Sequence, residues 1–337
     1  MRPATQDSLG LPGSIRLVEV GLRDGLQAVT EPLATEAKVT VIRGLIESGF
    51  REIEAVSFAH PDVLPQLADA EAVMAAVPRV EGVRYRGLVP NLRGAQRAVE
   101  CGLDEWAVVI SADEAVSQRN QRRSVGQMIG ELSGVAELAD ASGVRLIVAV
   151  ASAFFAPARG PVPRAEYLRV VDAAVDVGAA AVYLACTTGQ EHPREVAERV
   201  REVGARHPQL DVGVHLHNRN GFAPANAIAA MQAGATWLEG SFCGLGGDLW
   251  FPGDPSVLGN APMEDLVHLC DGLGIGTGID LGRYLQVVRR VEELTGMRSS
   301  SFVERGGSRH DLATAQWPAG AADRHRTADQ HRTKGET

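Results

Sequence analysis

Short apolar runs alternate with longer amphipathic stretches along most of this chain. The runs are rich in Val, Ile, Leu and Ala, and runs of this length bounded by polar or glycine residues are typical of buried strands. Eight such runs occur, at residues 15–20, 52–57, 83–90, 105–111, 144–151, 180–186, 211–217 and 236–242. The pattern therefore predicts eight strands.

The stretches between these runs have the apolar spacing of amphipathic helices. Clear examples cover residues 35–49, 164–178, 192–208 and 223–234, and several end in glycine, a common helix stop. Alternating strands and helices indicate parallel βαβ units. Eight such units predict a (β/α)8 TIM barrel, an α/β fold. A doubly wound open sheet is the alternative, but no GxGxxG sequence opens the first helix.

The two ends of the chain lack this alternation. From Met297 onward the sequence is polar, mixes charges with Gly and Ser, and has no sustained periodicity. We therefore divide the chain into an N-terminal leader (1–13), a barrel domain (14–300) and a flexible C-terminal tail (301–337).

Composition limits the classes of partner. The 337 residues carry a formal net charge of −9 and a pI near 5.5, which argues against nucleic acid as the main partner. An anionic substrate remains compatible, since a pocket can be locally positive. The N-terminus has no signal-peptide pattern and no run is long enough to span a membrane. Four cysteines without CxxC spacing predict reduced thiols and a cytoplasmic location.

Two histidines stand one residue apart near the end of the seventh run, in "VHLHNRNG". Residues i and i+2 of a strand point to the same face, so His215 and His217 are directed together at one point. Two convergent neutral imidazoles suit a metal ion. A pair of ordinary surface histidines is the alternative from this stretch alone.

Other polar residues follow the predicted strands, where TIM barrels place their chemistry. Each has a local alternative: Asp24 could form a turn, Glu54 could pair with an arginine, and Asn91 could cap a helix. Their convergence on one rim favours a shared site. The residues at this rim are Arg23, Asp24, Glu54, Ser57, Asn91, Cys186, Thr187, His215, His217, Glu239, Ser241 and Cys243.

One carboxylate and two imidazoles at this rim would leave open positions on a metal. That mixture of oxygen and nitrogen ligands favours Mg²⁺, Mn²⁺ or another octahedral divalent ion, and the lack of a thiolate disfavours a closed zinc site. Arg23 would place a fixed cation beside developing negative charge on an enolate or carboxylate oxygen.

Four sequence blocks resemble the hydroxymethylglutaryl-CoA lyases of the DRE-TIM metallolyase superfamily, which also contains isopropylmalate, homocitrate and citramalate synthases. The blocks are "VEVGLRDGLQ" (18–27), "VPNLRGAQRAVECG" (89–102), "HLHNRNG" (215–221) and the segment from "GLGG" to "GTGIDL" (244–281). The resemblance extends from about residue 14 to about residue 300.

The resemblance implies a role for each matching residue. Arg23 would stabilise an enolate, and Glu54 would orient Arg23. Gln27, Ser57, Asn91 and Thr187 would contact substrate. The implied metal ligands are Asp24, His215, His217 and Asn260.

Three positions depart from the lyase pattern. Asp248 stands where the lyases carry a reactive cysteine after "GLGG", Cys186 replaces the aspartate of a "GDT" run, and Asn218 replaces the aspartate of HxHD. Asp248 could act as a general acid if burial raised its pKa, or it could be exposed to solvent, and a catalytic role for Cys186 is left open. For Cys243 we favour a small buried residue of the core.

The implied reaction is retro-aldol (Claisen-type) cleavage of a 3-hydroxy-3-methylglutaryl-CoA-like thioester to acetyl-CoA and a keto acid, with Mg²⁺ or Mn²⁺ as cofactor. One alternative is a synthase that condenses acetyl-CoA with a 2-keto acid; Asn218 favours it, whereas Leu26 does not match the "RDGEQ" of synthases. Another is an inactive barrel that acts as a binding protein. Trp250 and Phe251 would shape the acyl pocket, or pack against the barrel or a partner in a possible homodimer.

Overall fold

The strands form where the apolar runs predict them. The computed structural model describes residues 9–247 and 259–317. The barrel strands are β1 (Arg16–Glu19), β2 (Glu52–Ser57), β3 (Arg84–Leu88), β4 (Glu105–Ser111), β5 (Arg145–Ala151), β8 (Ala181–Cys186), β9 (Asp211–Leu216) and β10 (Trp237–Gly240), and a separate hairpin pairs β6 (Phe155–Ala156) with β7 (Gly160–Pro161). The eight strands close in the order β1-β10-β9-β8-β5-β4-β3-β2, all parallel, which confirms the predicted (β/α)8 barrel.

Helices connect the strands around the outside of the barrel. Their ends follow local sequence signals: Ser124 and Gln127 form a capping box at the start of one, and Gly296 ends another in the left-handed conformation. The helices are α1 (Thr35–Glu47), α2 (Ala70–Ala76), α3 (Leu92–Ala98), α4 (Glu114–Gln121), α5 (Val125–Ala141), α6 (Arg164–Asp176), α7 (Pro193–Arg206), α8 (Ala223–Gln232), α9 (Met263–Leu273) and α10 (Leu281–Thr295). None of the helices in the described ranges is long and apolar enough to cross a membrane.

The chain divides into two compact units, Met1–Ser301 and Phe302–Thr337. The described part of the second unit contains the short helices α11 (Phe302–Gly306) and α12 (Arg309–Thr314), where the sequence predicts a tail without periodicity. A local capping box explains α12, since the Ser308 and Asp311 side chains bond to each other's backbone N–H groups. The flexibility of this tail stays a prediction.

Alternation along the strands divides the apolar side chains into two cores. Outward-facing residues pack against the helices in one large cluster. The smaller inner cluster fills the barrel, and its aromatic members are Tyr183 and Trp237. Gly213 is required beside Trp237, because a Cβ atom there would lie 2.0 Å from the indole Cε2. The inner cluster consists of Val18, Val20, Ile147, Ala149, Ala181, Tyr183, Ala185 and Trp237.

A ring of alternating charges lies at the N-terminal end of the barrel. Each member is the first residue of its strand, and each contacts the next, closing a circle of three arginines and three carboxylates. In order around the ring, the members are Arg16, Glu52, Arg84, Glu105, Arg145 and Asp211, and the last contacts the first at 2.6 Å. Each charge therefore lies between two charges of opposite sign, which offsets the repulsion between like charges in the ring.

Glu105 joins this ring to the barrel interior and gives a test of its importance. Its buried carboxylate accepts hydrogen bonds from Arg86 at 3.0 and 3.1 Å and also pairs with Arg145. Glu105→Gln leaves the buried Arg86 guanidinium short of a partner, so we expect the free energy of unfolding to fall by about 3–5 kcal/mol. Urea denaturation measures it.

Glu293→Gln is the matched control for this substitution. Glu293 also pairs with an arginine, Arg290, but its side chain is 66% exposed, so a change within about 0.5 kcal/mol is expected. Equal urea midpoints for the Glu105 and Glu293 variants would contradict the structural role of the ring.

Candidate active site

A cavity of about 350 Å³ opens at the C-terminal end of the barrel, where the sequence predicts the chemistry. Its walls combine apolar residues with a similar number of polar ones. The polar and charged residues that line it are Arg23, Asp24, Gln27, His60, Asn91, Asn120, Gln121, Arg123, Tyr183, Thr187, His215 and His217.

A single π-helical turn after β1 brings Arg23 and Asp24 into this cavity. The turn covers Gly21–Gly25, and its N–H groups at Arg23 and Asp24 both bond to the carbonyl of Val20, at 3.1 and 2.7 Å. π-helical turns are rare and frequently found at functional sites. Adjacent residues can therefore both be directed into the barrel mouth, and both are buried.

The two histidines converge as their spacing predicts. Nε2 of His215 lies 3.0 Å from Nε2 of His217, while Nδ1 of His215 lies 3.1 Å from the Glu239 carboxylate. Burial opposes ionisation of His217 and, with His215 beside it, lowers its pKa to about 3. Since Glu239 accepts the Nδ1 proton of His215, Nε2 of His215 carries a lone pair that faces Nε2 of His217.

Asp24 completes a cluster with these imidazoles. Its ligand oxygen and the two histidine nitrogens lie within 4.8 Å of one another. Burial raises the pKa of Asp24, but Arg23 and the two histidines outweigh it and bring the pKa to about 2. Asp24 is therefore ionised at neutral pH.

Asn260 lies beside Asp24 and has one unused polar atom. Its Nδ2 donates to Asp24 at 2.5 Å and to the Leu245 carbonyl at 2.7 Å, whereas its buried Oδ1 has no hydrogen-bond partner among the described residues. Gly246 permits this approach, since a Cβ there would lie 2.5 Å from the Asp24 carbonyl oxygen. An unpartnered buried carbonyl oxygen is costly unless something else binds it.

These donors fit a divalent cation. One carboxylate, two imidazole nitrogens and an amide oxygen are ligands that Mg²⁺ or Mn²⁺ accepts. The His215 Nε2 lone pair, 3.0 Å from Nε2 of His217, is met either by a proton on His217 or by a cation bound to both nitrogens. Within the described ranges, Asp24, His215 and His217 form the one such cluster of His, Cys and carboxylate ligands.

Arg23 is held by two carboxylates and keeps one nitrogen available. Its Nε donates to Glu54 at 2.7 Å and its Nη1 to Asp24 at 2.6 Å. Its Nη2 makes no hydrogen bond with the described residues and is not fully enclosed, and the residue lines the cavity. The sequence left open that Glu54 only pairs with an arginine. It does form such an ion pair, and because its partner is Arg23, the same contact orients Arg23.

The structure corrects the interpretation of Cys186. Inward-facing positions on β8 are Tyr183 and Ala185, so Cys186 points outward into the core between the barrel and the helices, and it does not line the cavity. Burial also raises the pKa of its thiol well above the usual value. Cys186 is therefore no longer a candidate catalytic residue.

The predicted substrate-binding residues separate into two groups. Gln27 and Thr187 line the cavity, and so does Asn91, although its side chain caps α3 by accepting from Gly94 N–H at 2.9 Å. Ser57 does not line it: its buried hydroxyl accepts from the Ala59 N–H at 3.2 Å, and a contact with substrate stays a prediction from the sequence.

The structure also locates Cys243 and Asn218. Cys243 is buried in the outer core, as favoured from sequence. The Asn218 side chain accepts from the Ala223 N–H at 3.2 Å, a local role at the start of α8. Asp248, Trp250 and Phe251 lie outside the described residues.

Two interior residues near the site carry roles that the sequence reading missed. Arg86 pairs with Glu239 behind His215, and Tyr183 lines the cavity below it. Both occupy inward positions of their strands. The alternation of side chains along a strand could have indicated that both residues face the barrel interior, whereas the predictions considered only residues at the strand ends.

Comparison with known proteins agrees with this geometry. The family model HMGL-like matches residues 14–291. The chain is 34% identical over 285 residues to the hydroxymethylglutaryl-CoA lyase YngG of Bacillus subtilis, covering 85% of this chain and 94% of the relative. It is 33% identical over 304 residues to the (R)-citramalyl-CoA lyase of Chloroflexus aurantiacus, covering 87% and 95%.

A solved structure is similar over nearly the whole chain. This is an HMG-CoA lyase from Acinetobacter baumannii in complex with coenzyme A and 3-methylmalate, with a TM-score of 0.84, 32% identity, and coverage of 93% of this chain and 100% of that one. The family match and the two relatives over most of their lengths establish that this chain belongs to the HMGL-like family and is a carbon–carbon lyase.

Proposed function

We propose that this protein is a Mg²⁺- or Mn²⁺-dependent lyase that cleaves a 3-hydroxy-3-methylglutaryl-CoA-like thioester to acetyl-CoA and a keto acid. The observation that carries this proposal is the convergence of Asp24, His215 and His217 next to Arg23, with the unpartnered amide oxygen of Asn260 beside them. Acyl-CoA is the proposed partner; a homodimer and a cytoplasmic location stay predictions from the sequence.

Asp24, His215, His217 and Asn260 would hold the cation. When bound, it would supply Lewis-acid chemistry that acidifies the substrate hydroxyl and orients a carboxylate. The chain prepares this site in advance, because Asp24 is ionised and Glu239 fixes the tautomer of His215.

The bond changes in the proposed reaction balance without an oxidant. The tertiary hydroxyl loses its proton, its oxygen forms the ketone of the keto acid, and the neighbouring carbon–carbon bond breaks. The electron pair passes to the thioester enolate, and a proton added at its carbon gives acetyl-CoA. Asp248 remains our candidate for proton transfer, since Cys186 faces away from the cavity.

Arg23 is the candidate for stabilising the enolate. Glu54 and Asp24 hold two of its nitrogens, so the guanidinium is oriented before substrate arrives, and Nη2 is left to meet the negative oxygen. A preoriented cation in a buried site stabilises developing charge more strongly than one in water.

Cleavage is favoured over condensation. Asn218 was the residue that suggested a synthase, but its side chain has a local structural role at α8. The two relatives described above are both named as lyases that act on acyl-CoA substrates. Hydroxymethylglutaryl-CoA and citramalyl-CoA are accordingly the first substrates to test.

Product formation tests the proposed activity. With hydroxymethylglutaryl-CoA or citramalyl-CoA and Mg²⁺ or Mn²⁺, mass spectrometry is expected to detect metal-dependent acetyl-CoA. Arg23→Met should lower kcat by about 10²–10³-fold, because it removes a preoriented charge. Arg290→Met, an exposed arginine, is the control and should keep wild-type turnover. No acetyl-CoA from either substrate with either metal would refute the proposal.

Metal affinity tests the role of Glu239. Glu239→Gln removes the carboxylate that holds His215, so the Kd for Mn²⁺, measured by calorimetry, should rise by about 10–100-fold. Glu264→Gln is a matched control, since Glu264 is also fully buried but bonds to Cys243 N–H and Ser299 on another part of the barrel.

A folding defect can be separated from this effect. Glu239→Gln leaves Arg86 buried without its partner, whereas the double variant Arg86→Met/Glu239→Gln removes both charges. Wild-type Mn²⁺ affinity in the double variant would contradict a positioning role for Glu239.

A further inference from the structure

Tyr183 lies at the bottom of the cavity, one layer below the two histidines. The register pairs His215 with Ala185, and Tyr183 with Gly213, two residues earlier on both strands. Tyr183 therefore lies deeper in the barrel than His215, and their rings are 6.0 Å apart between centroids. Tyr183 is both a member of the inner core and a lining residue of the cavity.

The residues above and beside Tyr183 are small. Ala149 is its partner on β5, and Ala151 and Ala185 are the next inward positions toward the rim. These methyl groups leave the space that forms the cavity, so the phenol ring closes its lower end. The length of an acyl group that enters from the rim is thus limited by this one side chain.

The Tyr183 hydroxyl is unused within the described part of the chain. It makes no hydrogen bond with any described residue, and it is not among the fully enclosed polar atoms, although the residue is only 2% exposed. Buried tyrosine hydroxyls usually find a partner. A phenol is protonated at neutral pH and can donate a hydrogen bond into the cavity.

We propose that Tyr183 forms the floor of the acyl pocket and donates a hydrogen bond to an oxygen at the distal end of the acyl group. This inference rests on the proposed lyase function and assigns to Tyr183 the selection of acyl groups that carry an oxygen at the end remote from the thioester. An alkyl end of the same length would leave the phenol without an acceptor and is disfavoured.

Tyr183→Phe keeps the ring and removes only the hydroxyl. For hydroxymethylglutaryl-CoA we expect kcat/KM to fall by about ten- to a hundredfold, as loss of a hydrogen bond to a charged group predicts. The Kd for Mn²⁺ should stay at the wild-type value, which a general disturbance of the site would not allow. Tyr167→Phe is the matched control, since the Tyr167 hydroxyl bonds to Glu202 and does not line the cavity.

Tyr183→Ala tests the floor itself. Opening the lower end should shift the ratio of kcat/KM toward 3-hydroxy-3-methyladipyl-CoA, which is one methylene longer at its distal end, over hydroxymethylglutaryl-CoA by at least about tenfold, since one methylene is worth about 1–3 kcal/mol of discrimination. Unchanged kcat/KM in the Phe variant together with an unchanged ratio in the Ala variant would overturn the proposal while leaving the lyase activity intact.

Binding without turnover separates this proposal from the lyase assignment. In EDTA, calorimetry compares hydroxymethylglutaryl-CoA with free CoA for the wild type and Tyr183→Phe. We expect the acyl compound to bind more tightly than CoA to the wild type, and this advantage to fall about tenfold in the variant. The same advantage in both proteins would show that Tyr183 does not contact the acyl group, whatever the turnover assay finds.

Discussion

The buried ion pair between Arg86 and Glu239 is the interaction on which both ends of this barrel depend. Arg86 bonds to Glu105 on one side and to Glu239 on the other, and Glu239 in turn holds His215. A continuous line of charge therefore runs from the ring at the N-terminal end to the candidate metal site at the C-terminal end. The desolvation of Arg86 is offset only because two carboxylates face it, so each residue of the line fixes its neighbours.

This line also positions part of the apolar inner core. The indole N–H of Trp237 donates to Glu239 at 3.2 Å, so a large aromatic residue is positioned by the same carboxylate. Gly213 leaves room for that indole. The packing of the inner core and the orientation of the site are consequently determined together.

Predictions from sequence succeeded where a periodic pattern or a short motif sets the geometry. The strand alternation placed all eight barrel strands, and the HxH spacing placed His215 and His217 on one face. The prediction for Cys186 failed, because a residue at the end of a strand can face either side of the sheet. Only the register of β8 decides which side Cys186 faces. For Ser57 the sequence alone could not show that its hydroxyl accepts from the backbone N–H two residues later.

Arg86 and Tyr183 could not be found from motifs, since their roles depend on partners far away in the sequence. Glu239 lies 153 residues from Arg86, and closure of the barrel alone brings them together. Closure of the barrel also places the Glu239 carboxylate level with His215, one layer above Tyr183, where it holds both Arg86 and that histidine. The Arg23 nitrogen and the Tyr183 hydroxyl line the same cavity without a partner among the described residues, so the groups left to meet a ligand are those that this line of charge does not use.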